Sequence, residues 1–282
     1  MNRALLVGIN KYKMAGADLQ GCVNDVTNIR DILLKYFGYS VKDIRMVVDE
    51  RATKKAIMER LGWLVKGAKA GDRLLFHFSG HGSQIRDRDG DELKDKLDEI
   101  LCPHDMDWDG TYIVDDELGK IFDKLPKGVN LEVLLDSCHS GTGTREMIAL
   151  EKLPRELAAV PRFLRPPADI LSRLEDDLPL QTLFGRTISP NSPNKQNKPN
   201  EPEKLVLFSG CRDNQTSADA EIKGTYNGAF TYYFCSHLRD TKGDLQRAEL
   251  LKRLRASLKY NGFDQIPQLE CGADKKKKRI LE

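Results

Sequence analysis

Arg73-Leu-Leu-Phe-His-Phe78 runs straight into Ser79-Gly-His81-Gly82, and Leu131-Glu-Val-Leu-Leu135 runs in the same way into Asp136-Ser-Cys138-His-Ser-Gly141. Short apolar runs bounded by turn residues read as strands buried on both faces of a parallel sheet. Three more share this character, Ala4 to Ile9, Ile44 to Val48 and Leu205 to Phe208. Between them the apolar spacing changes to the helical period, which predicts helices over Asn24 to Tyr36, Thr53 to Lys66 with Thr53 as N-cap, and Asp115 to Leu125. Strand and helix alternate, so the class is α/β, a central mostly parallel sheet flanked by helices on both faces.

The alternation breaks after Gly141. A charged, partly helical stretch leads into Ser189-Pro-Asn-Ser-Pro-Asn-Lys-Gln-Asn-Lys-Pro-Asn-Glu-Pro202, which is too polar and proline-rich to pack. The predicted organisation is therefore 1–141, a linker or insertion over 142–204, and 205–282 completing the same domain. In the last portion the reading gives a strand from Leu205, a polar loop from Gly210 to Asn227, and helices over Gly228 to Arg239 and Arg247 to Lys259.

A chain of 282 residues with 40% hydrophobic and 31% charged residues lies in the ordinary globular range. Its 45 Lys and Arg nearly cancel 43 Asp and Glu, so nothing calls for nucleic acid as a partner. The basic run Lys275 to Arg279 reads as a solvated tail. No apolar stretch reaches the roughly 18 residues of a spanning helix, so no membrane is expected. The first strand opens almost at Met1 without a signal peptide's cleavage region, so neither a leader nor an appended N-terminal domain is expected, and the cytoplasm is the expected compartment. Six cysteines, at 22, 102, 138, 211, 235 and 271, form no CxxC pair. Reduced thiols are expected rather than a zinc site or a disulfide framework.

In an open α/β sheet, ligands bind beyond the carboxyl ends of the strands, so the two motifs at 79–82 and 136–141 face one crevice. A thiol attacks as thiolate, and a nearby imidazole takes its proton and later returns one to the leaving amine. Cys138 and His81 fit these roles. Gly80, Gly82 and Gly141 remove side-chain bulk where a peptide must approach, and the amides of Gly82 and Cys138 are the candidate oxyanion donors. Taken singly, a cysteine at a strand end is a small buried hydrophobe and a histidine a hydrogen bonder. His139 points away from its neighbour and reads as structural.

Ser79-Gly-His81-Gly82 followed by Asp136-Ser-Cys138-His-Ser-Gly141 resembles the dyad of metacaspases, within the caspase-like cysteine peptidases. The resemblance extends to Leu19-Gln-Gly-Cys22-Val-Asn-Asp25 and to Ser209-Gly-Cys-Arg-Asp-Asn-Gln-Thr-Ser-Ala-Asp-Ala220. It implies a caspase-like three-layer fold in which 1–141 is the p20-like and 205–282 the p10-like portion, with a monomer as working form. It further implies a cysteine endopeptidase whose pocket for the residue before the cut is built from Cys22, Asp25, Ser79 and Asp136. Two confined carboxylates suit a guanidinium or ammonium group and repel aspartate, which implies cleavage after Arg or Lys. The plainer readings are a helix cap for Asp25 and a satisfied turn residue for Asp136.

The acidic stretch Asp87-Arg-Asp89-Gly-Asp91-Glu92, continuing through Asp95, Asp98, Glu99, Asp105, Asp107, Asp109 and Asp115-Asp116, suits a hard cation such as calcium. An EF-hand is excluded, because aligning Gly90 with that loop's glycine places Ile85 and Lys96 at ligand positions. The family resemblance implies calcium ligands at Asp98, Asp115 and Asp116. A further acidic ligand expected after the nucleophile has no clear equivalent, since Thr142-Gly-Thr-Arg145 precedes Glu146. The plainer reading is a solvated acidic loop. No organic cofactor is expected.

The linker holds Arg145, Lys152, Arg155, Arg162, Arg165, Arg173, Arg186, Lys195 and Lys198, each a potential cut site for such an enzyme. Exposed linkers are preferred places for nicking, so the linker is expected to be cut by its own enzyme or to cover the cleft beforehand. A rival reading is a calcium-responsive, protease-like module that captures basic peptides without cutting them. A nucleotide-binding domain, suggested by Leu6-Val-Gly-Ile-Asn10, lacks both GxGxxG and GK[ST].

Overall fold

The computed structural model describes residues 1–86, 97–138, 159–170, 205–212 and 215–282. In chain order these form β1 (Asn2–Gly8), α1 (Cys22–Tyr36), β2 (Ile44–Val48), α2 (Lys54–Val65), β3 (Arg73–Ser79), β4 (Gly82–Arg86), β5 (Leu97–Leu101), β6 (Ile113–Val114), α3 (Asp115–Phe122), β7 (Asn130–Asp136), β8 (Ala159–Pro161), β9 (Leu205–Ser209), β10 (Ala218–Ile222), β11 (Thr225–Gly228), α4 (Ala229–Asp240), α5 (Arg247–Tyr260) and β12 (Gln268–Glu270). The main sheet has the order β12-β9-β7-β3-β1-β2. Its strands run parallel except β12, which pairs antiparallel with β9 at one edge. Two three-stranded sheets flank it, β4-β5-β6 and β11-β10-β8.

The alternation of side chains along β1 divides the core. Leu5 and Val7 join Ile57, Leu61 and Leu64 of α2 and Leu118 and Phe122 of α3 on one face. Ala4 and Leu6 join Val26, Ile29 and Leu33 of α1, Phe230 and Phe234 of α4, and Leu250 and Leu254 of α5 on the other. A strand buried on both faces must be apolar at both parities, which is why these runs are continuous. Burying a leucine or phenylalanine side chain this fully is worth roughly 1.5–3 kcal/mol. Thr53 caps α2 as expected, accepting from the Ala56 amide at 3.2 Å. Among the described residues, no helix is long and apolar enough to cross a membrane.

One expectation is overturned. The stretch read as a polar loop from Gly210 to Asn227 carries the antiparallel hairpin β10–β11, in register Ile222 to Thr225. Lys223 and Gly224 close it with φ of 53° and 80°. Two successive residues at positive φ make the tight turn whose twist matches the strands. Glycine carries its half without strain, whereas lysine in the first position hides the turn from a search for Asn-Gly or Asp-Gly. The C-terminal basic run is also anchored rather than loose: Ile280 and Leu281 are buried, and the Lys278 carbonyl accepts from the Arg247 amide at 2.9 Å.

Candidate active site

β3 and β7 are parallel neighbours with Ser79 opposite Asp136, so the segments leaving them emerge side by side at the carboxyl edge. His81 lies just beyond β3. Its backbone N–H donates to the Tyr12 hydroxyl at 2.8 Å, and its ring lies 5.0 Å from the Tyr12 ring. Its Nε2 stands 2.8 Å from the Ala17 carbonyl oxygen. A carbonyl only accepts, so Nε2 carries the proton and Nδ1 keeps its lone pair. Nδ1 is buried and makes no hydrogen bond among the described residues. Burial lowers the imidazole to about 4, with the Ala17 contact opposing. His81 is therefore a neutral base with a fixed tautomer.

Cys138 follows β7 and is fully buried. Its Sγ accepts from the Ser217 amide and stands 3.8 Å from Sγ of Cys211. None of the six cysteines forms a disulfide.

A third segment passes between these two. β8 pairs antiparallel with β10, matching Pro161 to Ala218 and Ala159 to Ala220, and the Arg162 amide donates to the Ser217 carbonyl at 3.0 Å. The Arg162 carbonyl oxygen accepts two amides at once, Gly82 at 3.1 Å and Cys138 at 3.3 Å. Beyond it, the Leu164 amide donates to the Gly82 carbonyl at 2.9 Å, and Ser83 Oγ donates to the Leu164 carbonyl at 2.6 Å. Residues 159–164 are thus clamped by backbone on both sides of Arg162.

The Arg162 guanidinium is completely buried among carboxylates. Its Nη2 contacts Asp25 at 2.7 Å and Asp219 at 2.9 Å. Its Nη1 donates to Ser79 Oγ at 2.8 Å and to the Asp136 carbonyl at 3.2 Å, and lies 3.3 Å from the Asp136 carboxylate. Burial alone would lower its pKa, but Asp136, Cys22, Asp25 and Asp219 outweigh it and hold the group charged. Burial pushes Asp25 up to about 7 against the pull of Arg162, and burial likewise raises the Cys22 thiol.

The pocket is assembled reciprocally from the two ends of the chain. Asp25 accepts from the Gly228 amide at 3.0 and 3.1 Å. Asp136 accepts from Ser217 Oγ at 2.7 Å and from the Thr231 amide and hydroxyl at 3.0 and 2.6 Å. Asp219 in turn accepts from the amides of Gln20 at 2.7 Å and Gly21 at 2.9 Å. A Cβ on Gly228 would lie 2.2 Å from Asp136 Oδ2 and 2.4 Å from Arg162 Nη1, so glycine keeps the pocket open.

The residues expected from sequence at one site, Cys22, Asp25, Ser79, His81, Gly82, Asp136 and Cys138, do converge here. Asp219 was missed. It lies inside a quoted motif, but its partner amides are some 200 residues earlier in the chain and leave no local signal.

The acidic stretch is divided in use. Asp105 caps α2 through the Lys54 amide at 2.8 Å, and Asp107 closes a turn by accepting from Asp109 and Thr111. Asp115 and Asp116 open α3, and Asp98 lies in β5. Burial, then the charges of Glu99, Asp98 and Asp116, raise Asp115 to about 6. Asp116 pairs with Lys120 at 2.9 Å. No three His, Cys, Asp or Glu side chains among the described residues stand together as a metal site. Asp87, Asp89, Asp91, Glu92, Asp95, His139, Gly141 and Glu146 lie outside the described residues.

Comparison with known proteins adds family. A family model described as "Metacaspase, peptidase C14 domain" matches residues 2–145. Metacaspase-1 of Schizosaccharomyces pombe is 33% identical over 95% of this chain and 67% of its own. Metacaspase-1 of Ajellomyces capsulatus is 35% identical over 95% and 79%. Among solved structures, a Geobacter sulfurreducens protein is similar at TM-score 0.68 and 24% identity, covering 100% of this chain and 99% of its own. Caspase-1 from Spodoptera frugiperda is similar at TM-score 0.57 and 13% identity, covering 96% and 86%, a likeness of fold alone.

Proposed function

The chain belongs to the metacaspase family of caspase-like cysteine endopeptidases, and on that footing we propose that it cuts peptide bonds after Arg or Lys, using Cys138 and His81, and that Arg162–Phe163 is a bond of its own chain that it cuts. The observation that carries this is the seat of Arg162. A basic side chain fills the acidic pocket while its carbonyl oxygen accepts from the two amides of Gly82 and Cys138.

The chemistry follows from that placement. His81 Nδ1 takes the Cys138 proton, and the thiolate attacks the carbonyl carbon of the residue in the pocket. The oxygen gathers negative charge, which the Gly82 and Cys138 amides stabilise. The imidazolium then gives its proton to the leaving amine, the C–N bond breaks, and a thioester remains on Cys138. Water, deprotonated by His81, attacks the thioester, releasing a carboxylic acid and restoring the thiol. The Ala17 carbonyl matters because it reserves Nδ1 for these transfers.

In this reading 1–141 and 205–282 form one catalytic domain, and 142–204 is the processing region between them. Before cleavage, residues 159–164 block the cleft they later leave. Calcium is the proposed activator, with Asp98, Asp115 and Asp116 as ligands. Crowding of Asp115 by Glu99 and Asp98 supports it, since a dication relieves such repulsion. The described residues do not close a coordination shell, so no covalent step is routed through the ion. A monomer in the cytoplasm completes the proposal, and six thiols outside any disulfide suit a reducing compartment.

The test is hydrolysis of fluorogenic peptides ending in Arg, Lys or Asp, with calcium or a chelator, by wild type and Cys138→Ala. Release after Arg or Lys that vanishes in the variant is expected. A folded, processed protein that binds these peptides without cutting them would turn the reading to a capture module.

A further inference from the structure

Sequence and family motifs point to Asp25 and Asp136 for the acidic pocket, but the structure surrounds the guanidinium with three carboxylates. Arg162 Nη2 lies between Asp25 Oδ2 at 2.7 Å and Asp219 Oδ1 at 2.9 Å, while Nη1 serves Ser79 and Asp136 on the other edge. Asp219 is 1% exposed and cannot turn away. Its Oδ2 accepts from the Gln20 amide and its Oδ1 from the Gly21 amide, at 2.7 and 2.9 Å. A Cβ at Gly21 would lie 2.3 Å from that Oδ1, so this grip needs glycine. Asp219 also sits on β10, the strand whose backbone receives β8, in register with Val160.

The two basic side chains use such a site differently. A guanidinium is a planar fork whose two terminal nitrogens address separate acceptors, whereas an ammonium is one centre on a flexible stem. Asp25 and Asp219 share Nη2, and Ser79 and Asp136 share Nη1, so an ammonium reaches one edge of the pocket at a time. A lysine seated at the Ser79 and Asp136 edge leaves Asp219 without a charged partner, whereas arginine engages all three carboxylates.

We propose that Asp219 is a specificity-determining residue, a third pocket carboxylate held rigid by the Gln20 and Gly21 amides, which selects arginine over lysine before the cut. The inference rests on the peptidase reading above and sharpens it from basic residues in general to arginine first.

The test is kcat/KM for paired peptides differing only in Arg or Lys before the cut, on the processed, calcium-supplied protein, for wild type, Asp219→Asn and Asp219→Ser, with melting temperatures alongside. Wild type should prefer Arg by roughly ten- to a hundred-fold, the range expected of one charge-assisted hydrogen bond. In folded Asp219→Asn or Asp219→Ser the ratio should approach one, chiefly through slower cutting after Arg. A wild-type ratio near one overturns the inference even if neither variant folds. So does an unchanged ratio in a folded variant that has slowed on both peptides, because Asp219 would then only join the two ends of the chain. Wild type cutting after neither residue would sink the peptidase reading itself, and this inference with it.

Discussion

Among the described residues, Arg162 and Arg247 head the fully buried side chains by volume, yet they are held in opposite ways. Arg247 on α5 meets one carboxylate squarely, its Nε and Nη2 reaching Glu132 of β7 at 2.9 and 2.8 Å. Nη1 donates to the Lys275 carbonyl at 3.0 Å, and Glu132 also accepts from the Leu281 amide at 3.0 Å. One positive group faces one negative group, and the pair ties the central sheet to the C-terminus. Arg162 faces three carboxylates, and its Nε has no hydrogen-bond partner among the described residues. Depth of burial does not separate a structural arginine from a ligand-like one. The balance of charge does, because a pocket with surplus negative charge draws in a cation, and water can take that cation's place when the segment leaves.

The largest effect should come from reversing the visiting charge. Arg162→Asp sets a fourth carboxylate against three, and self-cleavage between 162 and 163 should fall at least about a thousand-fold, while Arg162→Lys slows it only by roughly ten- to a hundred-fold; timed intact-mass measurements decide. Cleavage there that ignores the residue's charge would make Arg162 no more ligand-like than Arg247.

The second effect belongs to the structural pair. Glu132→Gln or Arg247→Leu should each cost about 3–5 kcal/mol in denaturant unfolding, because each strands a buried charge, and the double change Glu132→Leu with Arg247→Leu should recover much of that. Arg162→Ala should cost under about 1 kcal/mol, since its three partners regain water once the segment leaves. Equal costs for Arg162 and Arg247 would make both structural.

The third is a pH effect. With Asp25 raised to about 7, its charge is full above that pH and lost below it, so the pocket attracts a guanidinium less strongly in acid. That value holds with a guanidinium seated, so KM for Arg peptides should rise as the pH falls towards 7, by at most about tenfold per pH unit, and level off below it. A flat KM between pH 9 and 7 would show that Asp25 stays ionised in the empty pocket over that range.

The smallest belongs to an exposed pair, Asp116 with Lys120, where Lys120→Ala should shift stability by less than about 0.5 kcal/mol, as read from the unfolding midpoint.

The sheet, the helices and the placing of His81 and Cys138 just beyond two neighbouring strands were legible because each follows from a local pattern, a buried apolar run ending in small polar residues. The pocket was legible in part. Asp25 and Asp136 stand in motifs, but Asp219 is defined by amides at Gln20 and Gly21 far away in the chain, and no local pattern encodes that approach. The β10–β11 hairpin hid behind Lys223, an uncommon residue for a position with φ of 53°. Arg162 appeared only as one of nine candidate cut sites in the linker. What singles it out is the pairing of Ala159–Pro161 with β10, a contact set by topology rather than by the residues on either side.

The central claim is that Arg162 is seated as the residue before a bond the enzyme cuts. Intact-mass analysis of the purified full chain with calcium, wild type beside Cys138→Ala, tests it most directly. Wild type should separate between Arg162 and Phe163, and Cys138→Ala should stay whole. A wild-type chain that hydrolyses Arg peptides yet never opens at 162–163, or a Cys138→Ala chain that opens there by itself, would contradict it.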